Sequence, residues 1–280
     1  IKGPSYLSVH VRFGTLSIRQ AAAMALESAR QGNRGAEIWL SELAWRDFYF
    51  QILSHFPYVA QSAFKPEYDA IAWEDGPQAQ QRFAAWCEGK TGYPMIDACM
   101  RKLRATGWIN FRMRSMLVAF AAYDLWLHWR KPAQVLAQLF IDYEPGIHYP
   151  QMQMQSGTAG HATIRLYNPV KQGLDHDPEG RFIRRWLPEL DRVPTSFIHS
   201  PWLLPGLQQK ESGCVIGRDY PAPVVDHEKA VREARARIAI YRKRPELKEQ
   251  IAQTFARHGS RRRMPQVRFM SSRQLELFPS

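Results

Sequence analysis

"WCEGKTGYPMIDACMRKLRATGWINFRMR", residues 86 to 114, carries four helix boundaries in one short run. A helix opened by Pro77 stops at Gly89, since glycine tolerates the left-handed conformation that closes a helix. A second opens at Pro94, where a proline ring sacrifices no needed hydrogen bond, and stops at Gly107. A third follows as "WINFRMRSMLVAFAAYDLWLHW", residues 108 to 129, apolar enough to predict a long central helix. Strand alternation is absent throughout.

The same punctuation extends outward. "SIRQAAAMALESARQG" reads as a helix capped by Ser17 and stopped at Gly32. In "AEIWLSELAWRDFYFQILSHFP", Ile38, Leu40, Leu43, Trp45, Phe48 and Ile52 recur at near-helical spacing, and Pro57 sets the end. "KPAQVLAQLFID" is another helix, with Pro132 at its start. "DYEPGIHYPQMQMQSGT" (142 to 158) holds two prolines and two glycines, so the spacing predicts an irregular, kinked segment from Tyr143 to about Lys171. "DPEGRFIRRWLPEL" restarts a helix, with Asp177 as cap and Pro178 at the first position. Pro-rich loops fill 188 to 223, and a basic helix spans roughly Asp226 to Arg242. Beyond Gly259 the sequence looks weakly structured. The fold class is all-α: one multi-helical domain over residues 1–225, then a basic C-terminal helix and tail over 226–280. No glycine fingerprint follows a strand, so a dinucleotide fold of the β-α-β kind is a poor reading.

Hydrophobic residues at 45% and charged residues at 23% suit a folded core that needs no staples. Cys87, Cys99 and Cys214 are widely spaced and odd in number, without zinc or disulfide spacing. They imply a reducing, cytoplasmic setting, and no run of 18 apolar residues implies a membrane span. The chain opens at Ile1, not methionine, which leaves an upstream domain open. Net charge is +12, which favours a polyanionic partner such as nucleic acid. Residues 226 to 280 hold 14 Lys and Arg against 6 Asp and Glu, so most of the excess lies there. Such a tail suits either a solvated end or a DNA arm. Nine tryptophans are heavy usage, fitting core filler or a site that stacks planar ligands.

Four stretches could carry chemistry. "GPSYLSVHVRFG" sets Ser5 and Ser8 ahead of a helix, as a phosphate site or an ordinary cap. Glu42, Trp45 and Arg46 share one helix face, where an acid, a ring and a cation read a base and an anion, or form a surface ion pair over a core tryptophan. Arg112 and Arg114 lie on an apolar helix and need an acid; Asp142 can supply it in a structural or a functional pair. His148 follows Asp142 and Glu144, as a structural imidazole or a catalytic one, with no second histidine at metal spacing.

Together these stretches, above all residues 86–114 and "YNPVKQGLDHDPEGRFIRRWLPEL" (167 to 190), resemble the flavin-binding helical half of the DNA photolyase and cryptochrome family. The resemblance spans residues 4 to about 225. It implies an all-helical domain holding FAD in a bent form, acting as a monomer on DNA that contains pyrimidine dimers. Ser5, Leu7 and Ser8 match the family's phosphate-binding Thr-Ser-x-Leu-Ser, with Pro4 in place of the threonine. Trp39 and Arg46 match flavin contacts in the Trp-Leu-x-Glu-Leu-x-Trp-Arg helix. Arg114 and Asp142 match an ion pair beside the isoalloxazine, and Glu144 replaces a second aspartate. Glu42 and Trp45 match lesion-binding residues, and Arg112 and Gln172 match positions near the DNA backbone.

The departures are specific. Met152-Gln153-Met154 replaces Trp-Gln-Trp, so Met154 removes an aromatic wall of the lesion pocket. Met152 removes the tryptophan nearest the flavin in an electron relay whose middle and outer members match Trp129 and Trp73. Ser115 replaces a lesion-contacting methionine and Phe111 an asparagine. His148 stands where repair enzymes set an asparagine against flavin N5. The resemblance therefore implies a light-driven lyase that repairs pyrimidine dimers, or a cryptochrome-like blue-light sensor on the same flavin. A third reading, from charge alone, is a basic helical DNA-binding protein without cofactor.

Overall fold

A computed structural model describes residues 5–159, 164–245, 247 and 249. Its helices are α1 (Ser8–Arg12), α2 (Ile18–Arg30), α3 (Arg34–His55), α4 (Pro77–Glu88), α5 (Pro94–Thr106), α6 (Phe111–Ala119), α7 (Arg130–Leu139), α8 (Pro145–Ser156), α9 (Pro169–His176), α10 (Arg181–Trp186), α11 (Gly206–Glu211) and α12 (His227–Arg242). Among the described residues there is no strand, only one bridge pairing Ile216 with Tyr220. The protein is all-α. No described helix is long and apolar enough to cross a membrane. Two compact units divide the chain, Ile1–Ile238 and Ala239–Ser280. The tail beyond Gly259 lies outside the described residues.

The centre is α5, whose residues Pro94 to Met100 are all buried. It packs on α4, α6, α9 and α10. Asp97 sits inside it as a knot. Its carboxylate accepts from Thr91 N–H (2.8 Å), Thr91 Oγ1–H (2.6 Å), Gly92 N–H (3.0 Å) and, from 123 residues away, Tyr220 Oη–H (2.6 Å). Burial outweighs these four donors and pushes the Asp97 pKa up to about 6.

Three sequence expectations need correction. The helix expected over 108–129 is shorter. Asn110 caps it by accepting from Met113 N–H (3.0 Å), and at Phe120–Asp124 the backbone widens to a π turn closed by Leu125 N–H to the Phe120 carbonyl. The chain then bends at Trp126, whose φ of 51° is held by an indole hydrogen bond to the Ala72 carbonyl (2.8 Å) and contact with the Trp73 ring.

The second correction concerns the first part of the segment from Tyr143, which is helical and not irregular: α8 occupies residues 145–156, whereas the described residues 157–159 and 164–168 are turn and coil. Pro145 takes the first helical position and Gly157, at φ 76°, the left-handed closing one. Pro150 inside α8 forfeits one backbone bond, which packing on α3, α6 and α7 outweighs. Gly146 allows that packing, since a Cβ there would sit 3.2 Å from Phe50 Cδ1.

Third, Pro178 does not open a helix. Asp177 instead ends α9 and reaches across a turn, accepting from Phe182 N–H and Ile183 N–H (3.0 Å each) at the start of α10.

Candidate functional site

A cavity of about 770 Å³ opens where α3, α6 and α8 meet the 5–12 segment and the turn after α7. Each long helix contributes one stripe at helical spacing. From α3 come Trp39, Glu42, Arg46 and Tyr49, with Trp45 beside them; from α6, Phe111, Arg114, Ser115 and Val118; from α8, His148, Gln151, Met152 and Gln155. Ser5, Leu7 and Ser8 line one end, and Asp142 and Glu144 enter from the turn.

Arg114 and Asp142 do pair, Nη2 to Oδ2 at 2.8 Å. Arg114 Nε also donates to the Ile109 carbonyl (2.9 Å), and its guanidinium lies 4.1 Å from the Phe140 ring centroid. These contacts fix the arginine and leave Asp142 Oδ1 buried with no partner. Glu144 is held by Arg12 (3.5 Å), which also donates to the Tyr143 carbonyl. Arg46 lies 4.3 Å over Phe50, and its buried Nη1 has no partner. Burial lowers the Arg46 pKa, while Glu144 and Asp47 oppose that shift.

His148 is buried among Phe140, Tyr143 and Tyr149. Its Nε2 lies 2.8 Å from the Ala133 carbonyl. A carbonyl only accepts, so Nε2 carries the proton and Nδ1 of the neutral ring is an acceptor. Burial, then the Arg114 charge, push its pKa down to about 4 against the opposing Ala133 bond and Asp142 charge. The ring is therefore neutral at physiological pH.

The rim is aromatic. Trp45 is 53% exposed and lies near-parallel to Tyr49 (28°, centroids 6.1 Å apart), with Phe48 against its edge. Phe111 is 55% exposed. Tyr49 Oη–H donates to Met154 Sδ (3.0 Å), so Met154 lines the cavity as a tethered thioether. Trp108 Nε1–H donates to Ser8 Oγ (3.0 Å), linking the 5–8 segment to the approach of α6.

Four candidates lie off the cavity. Arg112 is on α6 but outside its cavity stripe, and it is exposed, so it needs no buried acid. Gln172 is on α9. Trp129 is buried in the apolar cluster that contains Met152. Trp73 reaches Trp129 through His128, with successive ring centroids 5.9 Å apart.

Sequence reasoning missed Arg12, Tyr49, Gln151, Gln155 and the role of Gln153. Reading 145–156 as a helix would have aligned 148, 151, 152 and 155. Gln153 points the other way. It accepts from Phe64 N–H (2.5 Å) and donates to the carbonyls of Val59 (2.8 Å) and Ser62 (2.9 Å), clamping the 57–64 connector to α8.

The model of the FAD binding domain of DNA photolyase matches residues 39–240. A deoxyribodipyrimidine photo-lyase of Vibrio cholerae is 38% identical over 243 residues, 85% of this chain and 49% of that protein. One from Thermus thermophilus is 40% identical over 190 residues, 67% and 44% of the two chains. Among solved structures, a class III photolyase from Agrobacterium tumefaciens superposes with TM-score 0.80 at 31% identity, covering 87% of this chain and 51% of that one. A Synechocystis cryptochrome does so with TM-score 0.76 at 32% identity, covering 83% and 48%. The chain spans about half the length of the relatives it matches. With the helical fold, the matching model and these identities in agreement, the chain belongs to the DNA photolyase and cryptochrome family, to the part that forms the FAD-binding domain.

Proposed function

We propose that the cavity holds FAD and that the protein, so loaded, repairs pyrimidine dimers in DNA under blue light. The observation that carries this is one cavity in which three helical stripes and the turn after α7 leave buried polar atoms unpaired: Arg46 Nη1, Ser115 Oγ, Asp142 Oδ1, Gln151 Oε1 and both ends of Gln155. Unpaired buried polar atoms are costly, so their gathering in one place supports a polar occupant. The volume lies within the roughly 300–1,000 Å³ of ligand pockets. Apolar and aromatic side chains between the polar atoms suit a ring system.

Ser5, Leu7 and Ser8 would hold the phosphates, with Trp39 and Arg46 against the cofactor. Asp142 would present its free Oδ1 to the ring, oriented by Arg114. Glu144, fixed by Arg12, adds a second acid. His148, neutral, would accept a hydrogen bond at Nδ1 and donate none to the ring there. When bound, FAD supplies a light-excitable one-electron donor. Trp45 and Glu42 at the rim would receive a base extruded from the duplex, as photolyases require. Arg112, exposed, and Gln172 would contact the backbone, Met152 and Met154 shape the site, and Trp129 and Trp73 stand as the remaining relay residues. Residues 1–225 are assigned to the flavin site and 226–280 to the basic arm.

The test uses FAD-reconstituted, reduced protein illuminated with a dimer-containing oligonucleotide, with dimer loss followed by chromatography. Light-dependent loss is expected. Flavin binding without dimer loss would instead support a blue-light sensor. That second reading is favoured by the tethered Met154 and small Ser115, which remove one aromatic and one bulky contact from the lesion side.

A further inference from the structure

Gln155 is 2% exposed, and neither its Nε2 nor its Oε1 has a partner. Ser115, on the helix packed against α8, is 1% exposed, and its Oγ also lacks one. Both line the cavity. The residue roles proposed above assign no hydrogen-bonding partner to either group. Leucine and alanine would fill the same positions without burying unpaired polar atoms. Both residues line the cavity and are almost wholly shielded from water, so their polar groups face the cavity and not solvent.

We propose that Gln155, assisted by Ser115, is a recognition site for the hydrogen-bonding edge of a nucleobase-type ring. A carboxamide offers one donor and one acceptor side by side. It is satisfied by a ring edge that carries an adjacent acceptor and donor, such as a pyrimidine imide or the amino edge of adenine. A phosphate offers acceptors only and leaves Oε1 unpaired. A plain aromatic ring leaves both ends unpaired. The serine hydroxyl adapts to either partner. This inference rests on the flavin and DNA reading, and two sources could supply the edge: a ring of FAD, or a base of the DNA.

The experiment compares full-length wild type, Gln155→Leu and Ser115→Ala. FAD-free protein is titrated with FAD by fluorescence quenching. FAD-loaded protein is titrated with ultraviolet-irradiated oligothymidylate. Thermal unfolding is recorded with and without FAD. Gln155→Leu should raise the Tm of the FAD-free protein by a few degrees and weaken one ligand by roughly tenfold to a hundredfold. A loss in the FAD titration assigns the edge to the cofactor; a loss confined to the oligonucleotide assigns it to a base. Unchanged affinity for both overturns the proposal, as does a lower Tm of the FAD-free variant, which marks Gln155 as structural. Should Gln155→Leu not fold, Ser115→Ala carries the test, with about a threefold to tenfold loss expected and none overturning it. A wild type that takes up no FAD sinks the functional reading as well. A wild type that binds FAD beside unaffected variants sinks this inference alone.

Discussion

His148 shows how burial decides what one side chain can do. An exposed imidazole titrates near pH 6.5, whereas this one is held to about 4. A base with a depressed native pKa stabilises the fold fully above the unfolded value. That stability is lost as pH falls from about 6.5 to about 4, because the unfolded chain takes up the proton first. The whole window corresponds to about 3 kcal/mol, of which about 2 kcal/mol falls between pH 7.5 and 5. His148→Leu should lack this increment, while the cost of stripping the Ala133 carbonyl of its partner stays constant with pH. Urea unfolding of both proteins at the two pH values measures the difference. Equal losses would show that His148 is not the group responsible. Beside it, Arg114 binds one oxygen of Asp142 and leaves the other buried without a partner.

At the scale of elements, α8 is the piece on which the site turns, with its two faces doing different work. One face lines the cavity; from the other, Gln153 grips the 57–64 connector. Gln153→Leu strips the Val59 and Ser62 carbonyls of this partner and should cost about 2–4 kcal/mol. Hydrogen exchange should then speed up at Phe64, with α5 amides unchanged. If the loss spreads evenly to α5, the clamp is not local. The same helix marks the limit of legibility in the sequence. Helices α4 and α5 could be read to the residue because proline opens them and glycine closes them. In α8 the interior Pro150 imitates a breaker, and only neighbours distant in sequence, such as Phe50, reveal that packing outweighs it. Residues of the site on α3 and α6 were legible because motif and helical period agree there. Arg12 and, as the exception on α3, Tyr49 were not, since their partners Glu144 and Met154 arrive through tertiary contacts. Nothing local distinguishes a glutamine with unpaired ends from one on a solvated face.

For the whole molecule, the cavity and the charge are separate in sequence. All cavity-lining residues fall between 5 and 165. Beyond Arg242 lie nine Lys and Arg against three Asp and Glu, half of the net +12. Phosphate contacts release counterions, so each one steepens the fall of affinity with salt by about 0.9 on a log–log plot. If the C-terminal charge meets DNA, truncation after Arg242 should weaken binding at low salt and flatten that slope by roughly 2 or more. Flavin content and the absorption spectrum should stay as in the full chain, because no residue of the cavity is removed. Affinity measured by fluorescence anisotropy at several salt concentrations decides between the two roles open to a basic end. A parallel slope in the truncated protein makes the tail a solvated end with no part in binding. A flatter slope with intact flavin makes it an electrostatic arm that raises the local concentration of DNA without touching the chemistry.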